Sequence, residues 1–269
     1  MSQTGDTMGN LEGGKLEGRV ALVTGGSRGI GREFARAFAA EGARLVLTAR
    51  GKAGLDTLVE EITDGGGEAI GVVADALDHD QARMPVDVAM RTYGTLDILI
   101  NNVGGTTATS PEQNALYTHD DDVFANDLIL NLTTAYWTSQ AAAVQMKAAG
   151  GGRIIMIGSG AAKVTGLAPM AYTVAKHGLL GLTRKMAELS AADGITVNCL
   201  CPGPTNTEML REGLRKRREV DPDFYDQPPN MQGRILEPEE LAPMAVLLAS
   251  AAGSGITGQV ISVDGGYGI

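Results

Sequence analysis

Cysteine, histidine and positive charge are all scarce in this chain. Two cysteines, Cys199 and Cys201, stand two residues apart in an apolar run. That is too close for a disulfide framework, so they read as buried thiols in a reducing compartment. The three histidines are scattered and leave no ligand cluster of the structural-zinc kind. Lys and Arg total 22 against 32 Asp and Glu, a formal net charge of −10; nucleic-acid binding, which needs a concentrated basic surface, is not expected. No stretch approaches the roughly 18 consecutive apolar residues of a membrane span. Residues 1–15 are polar and glycine-rich, without the basic-then-apolar order of a signal peptide. These absences predict a cytoplasmic protein with a flexible N-terminal tail over residues 1–15.

What is present is core-forming. Of 269 residues, 43% are hydrophobic, enough for one substantial α/β domain, placed at 16–269. Residues 20–24 form an apolar strand that runs into Thr24, Gly25, Gly26, Ser27, Arg28, Gly29, Ile30 and Gly31. Ile30, Phe34 and Phe38 then recur at helical spacing. In such a strand-turn-helix unit Gly25 makes the tight turn, Gly29 lets the backbone approach a phosphate, and Gly31 lets helix and sheet pack closely. A dinucleotide pyrophosphate fits the helix N-terminus, where free amides and the dipole favour an anion.

The second strand, 43–49, ends in Ala49 and Arg50. An acidic residue there would take the ribose hydroxyls and repel a 2′-phosphate. Arg50 and Arg28 instead offer two permanent charges for that phosphate, predicting NADP(H) over NAD(H); the plainer reading leaves both arginines solvated. Further strands are predicted at 68–74, ending at Asp75, at 96–100, at 154–157, at 195–200 and within 256–266. Helices are predicted around 55–62, from Pro85 onward, over 123–148, from Tyr172 to about 191, and over 238–250. The alternation argues a single doubly wound parallel sheet with helices on both faces.

Three side chains carry the chemistry. Tyr172 and Lys176 are four residues apart on one predicted helical face. An ammonium beside a phenol favours the phenolate and lowers its pKa from about 10, so Tyr172 can exchange a proton with a substrate oxygen. Ser159, at the end of a strand, can hydrogen-bond that same oxygen.

Ser159, Tyr172, Lys176 and the glycine-rich turn together resemble the short-chain dehydrogenase/reductase family, and the resemblance runs from about Leu16 to the C-terminus. It is similar above all to 3-oxoacyl-(acyl-carrier-protein) reductase-like members. The resemblance implies a Rossmann-type fold of about seven strands and interconversion of a ketone and a secondary alcohol. It implies that Asn131 holds a water in a proton relay to Lys176, and that Lys176 also binds the cofactor ribose. Cofactor contacts are implied for Gly25, Ser27, Arg28, Gly29, Ile30, Gly31, Arg50, Asp75, Asn102, Gly104, Tyr172, Lys176, Pro202, Gly203, Thr205 and Thr207. Val103 and Thr205 depart from the family's usual residues. Burial of the Asn131 and Tyr172 helices between subunits of a homotetramer, or a homodimer, is implied too.

Residues 208–233 fit no core element, which predicts a substrate lid at about 205–236. It contains Met209, Leu210, Leu214, Phe224, Tyr225 and Met231, and a basic run of Arg211, Arg215, Lys216, Arg217 and Arg218. That run either docks an acidic carrier of an acyl thioester or is a solvated face neutralised by Glu208, Glu212 and Glu219. Ala161, Val164, Leu167 and Met170 suggest a hydrophobic carbonyl substrate. The rival expectation is a dinucleotide-binding regulator without turnover.

Overall fold

The computed structural model describes residues 13–110, 113, 115–165, 168–220 and 230–268. The expectations for most of the tail, for Leu167 and for Phe224 and Tyr225 therefore lie outside the described residues.

Seven parallel strands form one sheet: β1 (Val20–Val23), β2 (Arg44–Ala49), β3 (Glu68–Val73), β4 (Ile98–Asn101), β5 (Gly152–Ile157), β6 (Ile195–Pro202) and β7 (Val260–Val263). Their order is β3-β2-β1-β4-β5-β6-β7. β1 and β4, neighbours in space, lie far apart in sequence, and their C-terminal ends form the crevice where such sheets bind ligands. Strands of this kind are covered on both faces and read as continuous apolar runs. Every residue of β1, β4 and β6 is buried.

Two cores explain the helices. On one face, Phe34 and Phe38 of α1 (Gly29–Ala40) join Leu55, Leu58 and Ile62 of α2 (Lys52–Asp64) and Leu248 of α8 (Ala242–Ala249). On the other, Val86 of α3 (His79–Tyr93) meets Ala142 and Met146 of α5 (Thr134–Ala148) and Leu179 of α6 (Met170–Ser190). Two helices lie towards the site, α4 (Asp121–Leu128) and α7 (Glu208–Val220). Among the described residues no helix is long and apolar enough to cross a membrane.

Three boundaries differ from expectation. α3 starts at His79, because the Asp78 side chain accepts from the amides of Asp80 and Gln81 and caps it. Pro85 lies inside that helix and gives up one backbone bond. The helix expected over 123–148 is interrupted by a π turn, Ile129–Thr133, and the region expected to fit no core element contains α7. At the other end of the domain Lys15 is already anchored, its amide donating to Glu41 Oε2 at 2.7 Å.

Candidate active site

The glycine-rich turn joins β1 to α1 at the crevice. Gly25 and Gly29 take φ of 65° and 54°, which glycine alone adopts without strain. At Gly31 a Cβ would stand 2.4 Å from both Asn102 Nδ2 and Gly25 O, so the helix approaches closely only because the side chain is missing. Asn102 Nδ2 donates to Thr24 O and Gly25 O, each at 3.1 Å, and ties the end of β4 to the turn. Val103 packs its Cγ2 against Gly25. Arg28 is the N-cap residue of α1 and makes no side-chain cap, and the first turn carries no acidic group. The α1 amides thus face the crevice without an internal anion, the arrangement a pyrophosphate requires. Ser27 and Ile30 are half-buried in the turn.

Arg28 and Arg50 do not meet on a common partner. Arg50 is exposed just past β2, whereas Arg28 Nη1 pairs with Glu208 Oε2 at 3.0 Å. Asp75 Oδ1 accepts from the Leu77 amide at 3.0 Å beyond the end of β3. Past β6, whose last residue is Pro202, a Cβ on Gly203 would lie 2.6 Å from Asp264 Cα. Thr205 is buried and donates to Gly203 O at 2.9 Å. Thr207 Oγ1 accepts from the Leu210 amide at 3.2 Å, and its Cγ2 approaches Gly29.

The chemical groups gather at the ends of β4 and β5. Ser159 leaves β5 in extended conformation, and its Oγ accepts from the Ala161 amide at 3.1 Å. Ser159 also acts on the nearby Tyr172 hydroxyl and favours its phenolate. Lys176, buried to 3% exposure, donates to Ile157 O at 2.8 Å and lies 5.5 Å from the centre of the Tyr172 ring. Burial brings the Lys176 ammonium down to about 8, against the nearby Cys199 and Cys201 sulfurs. The expected lowering of the Tyr172 phenol is not met in the protein alone: burial pushes it up and outweighs the opposing influence of Ser159. The thiols are buried as expected, 3.8 Å apart, and a Cβ on Gly158 would press on both sulfurs.

Asn131 sits in the π turn, a distortion that recurs at functional sites. Its Oδ1 accepts from the Gly105 amide at 2.9 Å, and its Nδ2 donates to Gly105 O and Asp127 O, both at 2.8 Å. Gly104 fits between Asn131 and Lys176: a Cβ there would be 2.9 Å from Asn131 Oδ1 and 3.1 Å from Lys176 Nζ. Sequence reasoning missed Asp127. Its carboxylate, fully buried, accepts from Thr106 Oγ1 at 2.7 Å and from the Thr107 amide and hydroxyl at 2.5 and 2.9 Å. Its spacing of four from Asn131 was the available signal.

The segment between Thr205 and Leu236 is closed at its base. These two residues bridge in parallel, with Asn206 N donating to Leu236 O at 2.8 Å and Leu236 N to Pro204 O at 2.9 Å. Within α7, Arg215 bonds Glu212 at 2.7 Å and also Glu219. Glu208, expected to neutralise this run, bonds Arg28 instead.

A parallel sheet with a glycine-rich turn and an open helix N-terminus at its crevice defines a dinucleotide-binding α/β protein. A family described as Enoyl-(Acyl carrier protein) reductase matches residues 25–268. Galactitol 2-dehydrogenase (L-tagatose-forming) of Cereibacter sphaeroides is 36% identical over 255 residues, covering 94% of this chain and 96% of its own. A solved short-chain type dehydrogenase/reductase from Mycobacterium marinum is 32% identical, with a TM-score of 0.84 over 94% of this chain and 96% of that one. A blue fluorescent protein from a metagenomic library, solved in complex with NADPH, is 35% identical with a TM-score of 0.83, over 95% and 100% of the two chains. The chain belongs to the short-chain dehydrogenase/reductase family. It is an oxidoreductase that acts on CH–OH and C=O groups with NAD(P).

Proposed function

We propose an NADP(H)-dependent enzyme that interconverts a ketone and a secondary alcohol at Ser159, Tyr172 and Lys176. The observation that carries this reading is the Lys176 ammonium, held by Ile157 O at the end of β5, 5.5 Å from the centre of the Tyr172 ring, with Ser159 two residues beyond that carbonyl. A substrate oxygen placed against both hydroxyls is held by Ser159 and exchanges its proton with Tyr172. The bound dinucleotide supplies or takes up the hydride. Lys176, held by Ile157 O, presents its charge to the phenol and the ribose. Asn131 fixes the backbone of Gly105 and so the floor beside Lys176.

The 2′-phosphate preference rests on β2 ending in Ala49 and Arg50, with no carboxylate to repel the phosphate, and on Arg28 in the turn. Gly25, Gly29 and Gly31 with Asn102 and Gly104 shape the dinucleotide cleft. Asp75 is assigned to the adenine side, and Pro202, Gly203, Thr205 and Thr207 to the nicotinamide side.

We read residues 205–236 as the substrate lid, supported by the closed base at Thr205 and Leu236 and by Met209, whose Cε approaches Gly105. Pairing of Arg215 and Lys216 with Glu212 supports a solvated α7 face, and a free small molecule as substrate in preference to a carrier-bound thioester. Exposed Tyr136, Val144, Val174 and Leu189 on α5 and α6 support a homo-oligomer through those helices.

The test is turnover of free cyclic and aromatic ketones and of 3-oxoacyl thioesters with NADPH and with NADH. Faster turnover with NADPH, reversed by Ala49→Asp, is the expected result. Equal use of both cofactors by the parent protein refutes the preference, and no turnover of any carbonyl refutes the reaction.

A further inference from the structure

Three parts of the site converge on residues 264–268, which come directly after β7. The first is the loop behind Ser159. Lys163 Nζ pairs with Asp264 Oδ2 at 2.8 Å, with the two side chains 25% and 8% exposed, and also donates to Tyr267 O at 3.4 Å. Gly160, next to Ser159, has the Tyr267 ring where a side chain would be: its Cβ would stand 2.4 Å from Tyr267 Cδ1. Gly268 faces Val164 in the same way, at 2.8 Å.

The second part is the segment after β6, where the Gly203 amide donates to Val263 O at 3.0 Å and its Cα lies against Asp264. The third is the return of residues 230–233. Gln232 N donates to Gly265 O at 3.0 Å, Met231 N donates to Gly266 O at 3.4 Å, and Asn230 bridges Tyr267. Gly265 and Gly266 take φ of 65° and 82°, which lets the segment turn between the three.

The Ser159 loop holds itself only through short-range backbone bonds, such as Ala162 N to Ser159 O at 2.9 Å, and the Ser159 cap on Ala161 N. Gly158, Ser159, Gly160, Ala161 and Ala162 carry almost no side-chain mass, and the loop's regular structure is one short 3-10 turn, Gly160–Ala162. Gly158 N donates to Leu200 O at 2.8 Å and Ala162 is buried in the core, but beyond Gly158 the long side chains that hold the loop are Tyr267, Lys163 and its partner Asp264. Burial raises the Asp264 carboxyl, but Lys163 and the backbone amides of Gly266 and Tyr267 together bring it below its ordinary value. The pair is therefore ionised and mostly out of water, where geometry is held tightly and loss of one partner strands the other.

We propose that Lys163, Asp264 and Tyr267 are positioning residues for the reaction: they brace the loop behind Ser159 so that its hydroxyl keeps its place beside Tyr172. This rests on the reading of Ser159 given above. None of the three touches the reacting atoms. They act through Ser159, and the same brace links the Ser159 loop to the return of the lid.

The test uses the full chain as Lys163→Met, Lys163→Arg, Tyr267→Ala and Ser159→Ala. It measures kcat and KM on the best ketone, NADPH affinity by fluorescence titration, and backbone amide exchange over residues 158–164. For Lys163→Met and Tyr267→Ala, kcat is expected to fall roughly 10- to 100-fold, the scale of an ångström-level misplacement. NADPH affinity should stay within about twofold, exchange should rise in that loop first, and Lys163→Arg, which keeps a charge beside Asp264, should lose less kcat than Lys163→Met. Folded variants with unchanged kcat and unchanged exchange overturn the proposal. So does a parallel loss of kcat, cofactor binding and thermal stability. If Ser159→Ala itself turns over normally, the Ser159 reading fails, and the brace is then decided by amide exchange alone: local loosening sustains it and none refutes it.

Discussion

Arg28, at the N-cap of α1, and Glu208, the first residue of α7, form an ion pair of 3.0 Å across the mouth of the crevice. The pair joins the dinucleotide turn to the lid. Both side chains are about two-thirds exposed, at 65% and 68%, so the contact is weak and a phosphate can displace it. Glu208→Gln should release Arg28 and strengthen NADPH binding up to about fivefold. Paired titrations with NADPH and NADH check this, and the NADH affinity should not change.

Tyr172→Phe removes the group placed to exchange a proton while keeping the ring against Lys176. Loss of a positioned acid or base costs about 10²- to 10⁴-fold. That loss is expected in kcat, with NADPH affinity retained. Single-turnover kinetics against equilibrium titration separate the two.

Lys176 is lowered from 10.5 to about 8 by burial. Unfolding returns it to water, so between about 8 and its unfolded value the unfolded chain binds more protons than the folded one. Stability from this group therefore rises as pH increases through that window, and its burial is most costly below it. Lys176→Met abolishes the titration. Denaturation midpoints at about pH 7.5 and about pH 9.5 should show the parent gaining on the variant at the higher pH.

Gly31→Ala places a methyl 2.4 Å from Asn102 Nδ2 and Gly25 O. One contact is backbone, so the turn must shift. Overpacking of this kind costs about 1–3 kcal/mol, and dinucleotide binding should weaken with it. Thermal unfolding with and without NADPH reads both effects, since the ligand-induced rise in melting temperature should shrink as well.

Much of the frame is legible because one periodic signal places each element. Phe34 and Phe38 mark the buried face of α1, unbroken apolar runs mark β1 and residues 154–157 of β5, and the four-residue step from Tyr172 to Lys176 brings both side chains to one end of α6. What the sequence hides depends on partners far along the chain. Asp78 outweighs Pro85 in setting the start of α3, since a cap acts at the first turn regardless of later residues. Asp127 and Asn131 look like liabilities on a helix until residues 104–107 arrive to use them. Glu208 looks like a neighbour of the α7 arginines until the fold brings Arg28 closer. The upward push on Tyr172 is equally invisible, because burial is a property of the assembled site.

The π turn at Ile129–Thr133 has a genealogical consequence. It holds one residue more than an α-helix needs over the same length, the trace an insertion leaves when a helix absorbs it. Removing one residue there would restore an unbroken helix with α4 and α5 facing as before, and would change only the aim of the residues inside the turn. Asn131 would then lose its place against Gly105, while the core face of α5 stayed where it is. The extra residue is therefore what aims Asn131 at Gly105, and a one-residue deletion within 129–133 should cost that contact while leaving the helix itself intact.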